Sequence, residues 1–157
     1  KVYQKDRGWN FIKPDGEILR PDIWFSEVNY FRPDGFADVR KGNRWNLIKT
    51  DGKLLRDDIW FDEIGSSFRE GFTSIYRDDK GWNLINTDGK ILRDDIWFLK
   101  PISFDDGVAK VYVSFRGFNF IKSNGKFLRD DIWFKDAEDF NLYKDQLVGL
   151  YEFNNIE

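Results

Sequence analysis

The sequence contains no cysteine, no histidine and no methionine. Without cysteine there is no disulfide and no thiol nucleophile, and without histidine there is no imidazole base. Zinc sites built from cysteine and histidine are excluded for the same reason. Alanine is also scarce, since it occurs only at positions 37, 109 and 137. Most familiar active sites are therefore absent, and no cofactor is indicated.

The chain is rich in aromatic residues. Its 157 residues include 16 phenylalanines, 7 tryptophans and 6 tyrosines, and 41% of all residues are hydrophobic. This is enough apolar material for one folded domain. Because aromatic side chains favour strands and alanine favours helices, the composition predicts a β-sheet protein.

Charges of both signs are mixed along the chain, with 28 acidic and 25 basic residues and a net charge of −3. No broad positive surface is expected, so we expect no nucleic-acid partner. No run of apolar residues approaches the ~18 that a membrane span needs, so no membrane insertion is expected. The absence of cysteine does not indicate a compartment.

A motif with an aromatic residue, asparagine and isoleucine recurs four times at intervals of 36, 37 and 36 residues. An Asp-Gly or Asn-Gly pair, a leucine and an Ile-Trp-Phe triplet follow each copy. This predicts a single repeat domain over residues 1–157, with units at about 2–38, 39–74, 75–110 and 111–146 and a partial fifth at 147–157. The copies are Trp9-Asn10-Phe11-Ile12, Trp45-Asn46-Leu47-Ile48, Trp82-Asn83-Leu84-Ile85 and Phe118-Asn119-Phe120-Ile121.

The first residues lie inside a unit, because Val2 aligns with Val39, Ile75 and Val111. Together with the missing methionine, this leads us to expect a piece of a longer chain, with flanking repeats as further partners of these units.

Turn residues predict the local structure. Asp-Gly and Asn-Gly pairs between apolar segments indicate hairpins, because both residues tolerate positive φ. Each unit is then predicted to be a three-stranded antiparallel meander, and only residues 136–143 could form a helix. We expect an all-β protein in which the units stack as an open solenoid or superhelix. A small, four-bladed β-propeller is the alternative.

The segments Gly81-Trp82-Asn83-Leu84-Ile85-Asn86-Thr87-Asp88-Gly89-Lys90 and Phe104-Asp105-Asp106-Gly107-Val108-Ala109-Lys110-Val111 resemble the bacterial WG-repeat family. The resemblance covers essentially the whole chain, although asparagine replaces the glycine that follows the aromatic residue, and the variant is similar to proteins of gut bacteria and their phages. It implies an all-β tandem array that mediates interactions, with no catalytic residues to transfer.

Paired carboxylates recur in an Arg-Asp-Asp segment before each triplet, with Arg20-Pro21-Asp22 as the substituted copy. They could bind Ca²⁺ or act as the two acids of a glycosidase. We favour a structural ladder, because a residue at the same phase of every unit can pair with the neighbouring unit. We therefore expect no enzyme and no metal site. The ladder residues are Arg56, Asp58, Arg93, Asp95, Arg129 and Asp131.

Tryptophans of the triplets form a second ladder, namely Trp24, Trp60, Trp97 and Trp133. Their rings could stack on sugars, but packing is the preferred interpretation because large rings are needed to fill a thin core. The aromatic residues that open the four motif copies are assigned to the core.

The segments that vary most between units are the turns at residues 3–8, 40–44, 76–81 and 112–117. Since specificity resides where repeats differ, we expect a binding edge there. The predicted function is a non-catalytic scaffold that binds a protein partner. A carbohydrate-binding or adhesion module at a cell or virion surface is the alternative, with a glycan as partner. The candidate residues are Tyr3, Arg40, Arg44, Tyr76, Tyr112 and Phe115.

Overall fold

The structure, a computed structural model, describes residues 1–137. The expected partial fifth unit at 147–157 and most of the possible helix at 136–143 lie outside the described residues. Within 1–137 the chain forms strands and no helix, so no helix there could cross a membrane. The strands are β1 (Val2–Gln4), β2 (Gly8–Asn10), β3 (Glu27–Val28), β4 (Phe36–Lys41), β5 (Arg44–Lys49), β6 (Glu63–Ile64), β7 (Phe72–Arg77), β8 (Gly81–Asn86), β9 (Val108–Val113) and β10 (Gly117–Lys122).

The strands form four small antiparallel sheets, which confirms the all-β prediction for the described residues. In chain order, the first sheet pairs β1 with β2, the second has the order β3-β4-β5, the third β6-β7-β8, and the fourth pairs β9 with β10. The longest ladders are hairpins of six residue pairs, such as Phe36↔Lys49 to Lys41↔Arg44 in the second sheet.

The long hairpins do not turn at the Asp-Gly pairs. They turn at the other end of the motif strand, at residues 5–7, 42–43, 78–80 and 114–116, which we call the hairpin tips. The chain also reverses at Asp51-Gly52, but a single bridge, Ile48↔Leu54, follows. The post-turn segment is therefore not the third strand that the meander prediction assumed. That strand precedes the hairpin, as β3 does.

The Asp-Gly turns have a geometry that needs only one residue with positive φ. Gly52 has φ +85° and donates to the Lys49 carbonyl at 2.9 Å, while Asp51 keeps negative φ and its Oδ1 accepts from the Lys53 amide. This is a type I turn followed by a left-handed glycine, with the aspartate bonding the backbone two residues on. The expectation of positive φ at both residues was wrong, because the carboxylate stabilises the ordinary conformation.

The apolar core lies between consecutive sheets. Cluster 1 combines Phe11 and Phe25 with Val39 and Ile48, and so joins the first sheet to the second. Cluster 2 joins the second to the third through Leu47, Phe61, Ile75 and Ile85, and cluster 3 joins the third to the fourth through Leu84, Phe98, Val111 and Ile121. The predicted unit boundaries at 38/39, 74/75 and 110/111 fall inside β4, β7 and β9. A repeat in the sequence gives the length of a unit but not the residue at which the unit begins, and the positions of the strands show where it begins.

Candidate functional site

Four asparagines are completely buried, one in each copy of the motif. Asn83 Nδ2 donates to the carbonyls of Arg93 at 2.6 Å and Ile96 at 3.1 Å, and its Oδ1 accepts from the Leu84 amide at 2.9 Å. The same three bonds are made by Asn10, Asn46 and Asn119.

These asparagines hold the Arg-Asp-Asp segment against the motif strand. A buried carbonyl without a donor costs about 1–3 kcal/mol, and each asparagine donates to two carbonyls that are partly buried. Asparagine at these positions is therefore part of the frame. The sequence marked it only as a departure from the resembled family, because its partners lie 10 and 13 residues away in a loop without regular structure.

The arginines of the Arg-Asp-Asp segments make their short hydrogen bonds within their own segment, and the predicted pairing with an aspartate of the next unit is a longer contact. Arg56 donates from Nε and Nη2 to both carboxylate oxygens of Asp58, at 2.7 and 2.6 Å. Two parallel N–H···O bonds between a guanidinium and a carboxylate form a strong pair, which we call an arginine fork. Arg93 pairs with Asp95 and Arg129 with Asp131 in the same way.

The third guanidinium nitrogen makes the contact between sheets. Nη1 of Arg56 donates to the carbonyl of Gly89 in the next Asp-Gly turn, at 3.1 Å. Arg20 reaches Gly52 at 3.1 Å and Arg93 reaches Gly125 at 3.0 Å. A direct ion pair across sheets is also present, but it is longer, at 3.7 Å between Arg20 Nη2 and Asp57 Oδ1.

Pairing with arginine lowers the pKa of these carboxyl groups. The hydrogen bond from Arg56 lowers the pKa of Asp58, Arg93 does the same to Asp95, and Arg129 lowers the pKa of Asp131 to about 2. A general acid needs a raised pKa near the working pH, so these groups are poorly suited to that role. Within residues 1–137, no cluster of three or more acidic side chains could hold a metal ion.

The tryptophans of the triplets are half-buried. Trp60 packs against cluster 1 and Trp97 against cluster 2. Cations lie over three of the four rings, with Arg7 5.8 Å from Trp24, Lys80 5.5 Å from Trp97 and Arg116 5.9 Å from Trp133. This arrangement favours the packing interpretation.

Next to its tip, each hairpin has a cross-strand pair, which consists of two aromatic rings in three hairpins and of an arginine and a ring in the second. Tyr76 lies opposite Trp82 with ring centroids 4.9 Å apart, and Tyr112 lies opposite Phe118 at 4.7 Å. In the first sheet Tyr3 pairs with Trp9 at 5.1 Å. In the second sheet, the guanidinium of Arg40 lies 5.4 Å from the ring of Trp45.

The opening aromatic residues of the motif copies were assigned to the core, but all four are half-buried and share a sheet face with the candidate residues. The strand register alone reveals this, since it places each of them opposite a candidate residue. We call these cross-strand pairs the ring pairs.

The charged residue beside the ring pair is a lysine in the first and fourth sheets and a glutamate in the second and third. Lys100 Nζ lies 5.2 Å from both rings of the Tyr112–Phe118 pair. Glu63 lies opposite Tyr76 in the third sheet. In the second sheet Glu27 forms an ion pair with Arg40 at 2.8 Å. The ring pairs therefore have different electrostatic surroundings on one common frame.

The hairpin tips place the remaining candidates. Arg44 begins β5 directly after its tip, is exposed, and lies 3.4 Å from Asp62. Phe115 occupies the middle of the fourth tip, where its side chain is fully exposed at 104% and its φ is +64°. The six candidate residues are distributed over four hairpins, so each sheet presents its own part of the predicted edge.

No family model and no curated protein matches the chain. Among solved structures, the computationally designed Ika4 protein aligns with a TM-score of 0.41 and 13% identity, covering 83% of each chain. The computationally designed Ika8 protein aligns with a TM-score of 0.40 and 12% identity, over 79% of this chain and 42% of its own. The chain thus spans less than half the length of the Ika8 chain.

Proposed function

We propose that this protein is a non-catalytic scaffold of WG-repeat-like units that binds a protein partner through its hairpin tips and ring pairs. The observation that carries the proposal is Phe115. A bulky residue with positive φ is costly, and a fully exposed phenyl ring gains nothing from burial in this fold. An exposed ring at a loop tip is available to pack against a surface that a partner supplies.

The distribution of variation supports the same function. Buried asparagines and Asp-Gly or Asn-Gly turns occur in all four copies and arginine forks in three of them, whereas the tips differ in length and composition. The second tip has two residues, Gly42 and Asn43, and the others have three. A shared frame with differing tips is typical of repeat proteins that bind other proteins.

Phe115 belongs to a cationic and aromatic surface. Arg116 is its neighbour in the tip, and the Tyr112–Phe118 ring pair with Lys100 lies on the strands that the tip connects. An aromatic anchor beside a cation fits a peptide segment that combines an apolar side chain with a carboxylate.

We further propose that the sheets stack as an open solenoid. Clusters 1, 2 and 3 each join one sheet to the next in chain order, which supports an open arrangement. A closed four-bladed propeller would need an additional cluster between the first and fourth sheets.

Peptide selection tests the binding proposal. The immobilised 157-residue chain would be used to select from a phage-displayed random peptide library, and the selected peptides measured by fluorescence anisotropy. Phe115→Ser is expected to weaken binding at least tenfold, because the anchor is lost while the frame is untouched. Tyr30→Ser is the matched control, since Tyr30 is 73% exposed in a different part of the chain.

Two outcomes would contradict the proposal. One is a set of selected peptides that binds Phe115→Ser as tightly as the original chain. The other is a failure to select peptides, combined with glycan-array binding that is lost in the Tyr3→Ser variant. Tyr3 is 59% exposed, and its ring packs against Trp9. That second result would support the carbohydrate-binding alternative.

A further inference from the structure

In both three-stranded sheets, the short first strand places a glutamate beside the ring pair. In the second sheet Glu27 lies opposite Arg40, which in turn lies opposite Trp45. The guanidinium of Arg40 is 5.4 Å from the centre of the Trp45 ring, and its Nη2 lies 2.8 Å from Glu27 Oε2. The second sheet therefore holds an arginine of its own between a carboxylate and an indole ring.

The third sheet has the same carboxylate and the same indole ring but no arginine. Glu63 lies opposite Tyr76, which lies opposite Trp82, in the register that the second sheet has. Side chains of directly opposite residues in antiparallel strands are neighbours on one face, with Cβ atoms about 4.5–5.5 Å apart. Within residues 1–137, Glu63 forms no ion pair and no cation lies over either ring. Glu63 is exposed and both rings are half-buried, so all three side chains are accessible from outside.

The other two ring pairs also have a cation from this chain beside them. Lys100 Nζ lies 5.2 Å from the centres of both rings of the Tyr112–Phe118 pair, and Lys1 Nζ lies 5.1 Å from the centre of the Trp9 ring. Core clusters 2 and 3 place the third sheet between the second and the fourth, so both of its neighbouring sheets are described. Within residues 1–137, the third ring pair is therefore the one whose rings have no cation from the chain itself.

We propose that the third ring pair and Glu63 bind an arginine side chain of the partner protein. The guanidinium stacks on the Tyr76 and Trp82 rings and donates to the Glu63 carboxylate, as Arg40 does within the second sheet. Arginine fits better than lysine, because its planar group stacks on aromatic rings and can donate two parallel hydrogen bonds to a carboxylate. This inference rests on the proposed function, since the ring pairs are part of the binding surface proposed there.

The third and fourth hairpins then select opposite charges. Lys100 and Arg116 beside Phe115 favour a carboxylate of the partner, whereas Glu63 beside Tyr76 favours a positive charge. A partner segment that contacts both hairpins therefore combines an arginine with an acidic residue.

Nuclear magnetic resonance titration of the isotope-labelled chain with Nα-acetylarginine amide tests this proposal. The chain has seven tryptophans, and the indole N–H signal that is lost in Trp82→Phe belongs to Trp82. This signal is expected to shift saturably, with a dissociation constant in the millimolar range, because one exposed ion pair and one stacking contact contribute. The Trp45 signal, identified through Trp45→Phe, is expected not to shift, since Arg40 already lies over that ring. Nα-Acetylcitrulline amide has nearly the same shape without the charge and is expected not to bind.

Two substitutions exchange the combinations of the second and third sheets. Tyr76→Arg gives the third sheet an arginine of its own, which is expected to lie over Trp82 and to abolish the shift of that signal. Arg40→Tyr removes the arginine of the second sheet and is expected to give Trp45 a saturable shift. Circular dichroism melting checks that both variants fold.

The contribution of the carboxylate is measured separately. Glu63→Gln is expected to weaken binding about fivefold or more, because it removes the charge and keeps the size of the side chain. Asp106→Asn is the matched control and is expected to bind like the original chain. It also removes one exposed carboxylate, but in the turn before β9, where asparagine accepts the positive φ of 50°.

The proposal is overturned if the Trp82 signal does not shift, if citrulline gives the same response, or if Nα-acetyllysine amide binds as tightly as the arginine compound. Unchanged binding by folded Glu63→Gln or Tyr76→Arg overturns it too, as does a folded Arg40→Tyr variant in which Trp45 stays unresponsive. Peptide binding that depends on Phe115 without a shift at Trp82 would contradict this inference alone. Binding of the arginine compound at Trp82, with selected peptides that ignore Phe115→Ser, would contradict the proposed role of Phe115 alone.

Discussion

The two ends of each hairpin strand follow different rules. At one end, the Asp-Gly turns have one geometry, and three of the four accept an arginine from the preceding sheet. At the other end, the tips differ in all four hairpins, and one of them holds Phe115 in solvent. The residues are similar at the end of the strand where a neighbouring sheet packs, and they vary at the end that faces solvent.

The first Asp-Gly turn refines this comparison. Gly16 has a positive φ like the other turn glycines, but no atom of residues 1–137 lies within 4 Å of a Cβ placed on it. The local backbone therefore suffices to form this turn, and the contact with a neighbouring sheet is a separate contribution. Substitutions can separate these two contributions.

The largest effect is expected at the buried asparagines. Asn83→Ala removes the donors for two partly buried carbonyls and the acceptor for the buried Leu84 amide, so the free energy of unfolding should fall by about 3 kcal/mol. Urea denaturation followed by tryptophan fluorescence measures it. Asn43→Ala at an exposed tip is the control and should change stability by less than about 0.5 kcal/mol. Equal effects at the two sites would contradict the division between frame and tip.

An intermediate effect is expected at the turn glycines. Gly16→Ala should cost about 1–2 kcal/mol, because it places a side chain at φ +88°. Gly89→Ala carries the same strain and also forces a Cβ to within 2.4 Å of the Leu55 carbonyl oxygen, which should add about 1–3 kcal/mol. Thermal melts of the two variants give the difference. If both melted at the same temperature, docking at the turn would contribute nothing.

The smallest effect is expected at the tip. Phe115→Gly removes the strain of a bulky residue at φ +64°, but glycine also makes the unfolded chain more flexible, which lowers stability. The net free energy of unfolding should rise by about 0.5 kcal/mol. Tyr112→Gly, three positions before Phe115 in β9, should instead cost about 2 kcal/mol because its ring packs on Phe118. Differential scanning calorimetry compares them. A clear loss of stability for Phe115→Gly would show that the ring supports the fold.

Contacts far apart in the sequence limited what could be predicted. The all-β class and the positions of the Asp-Gly turns follow from local chemistry, and both were predicted. The hydrogen-bond partner of Arg56, Asp58, was not predicted, because the repeat places aspartates both in its own segment and in the next one, and only the structure shows which one is close enough to bond. The ring pairs were missed because they require the register of two strands, which no single motif contains.

The sequence by itself determined which residues repeat, that sheets form, and where the chain reverses at each Asp-Gly pair, because these depend on neighbouring residues and on the conformational freedom of glycine. Only the tertiary structure decided which glycine carbonyl accepts an arginine and which isoleucine is buried. Gly16 and Gly89 share one turn motif, but within residues 1–137 only Gly89 lies against a neighbouring backbone, that of Leu55. Burial and docking are properties of surfaces that distant residues complete, so identical motifs have different roles in the fold.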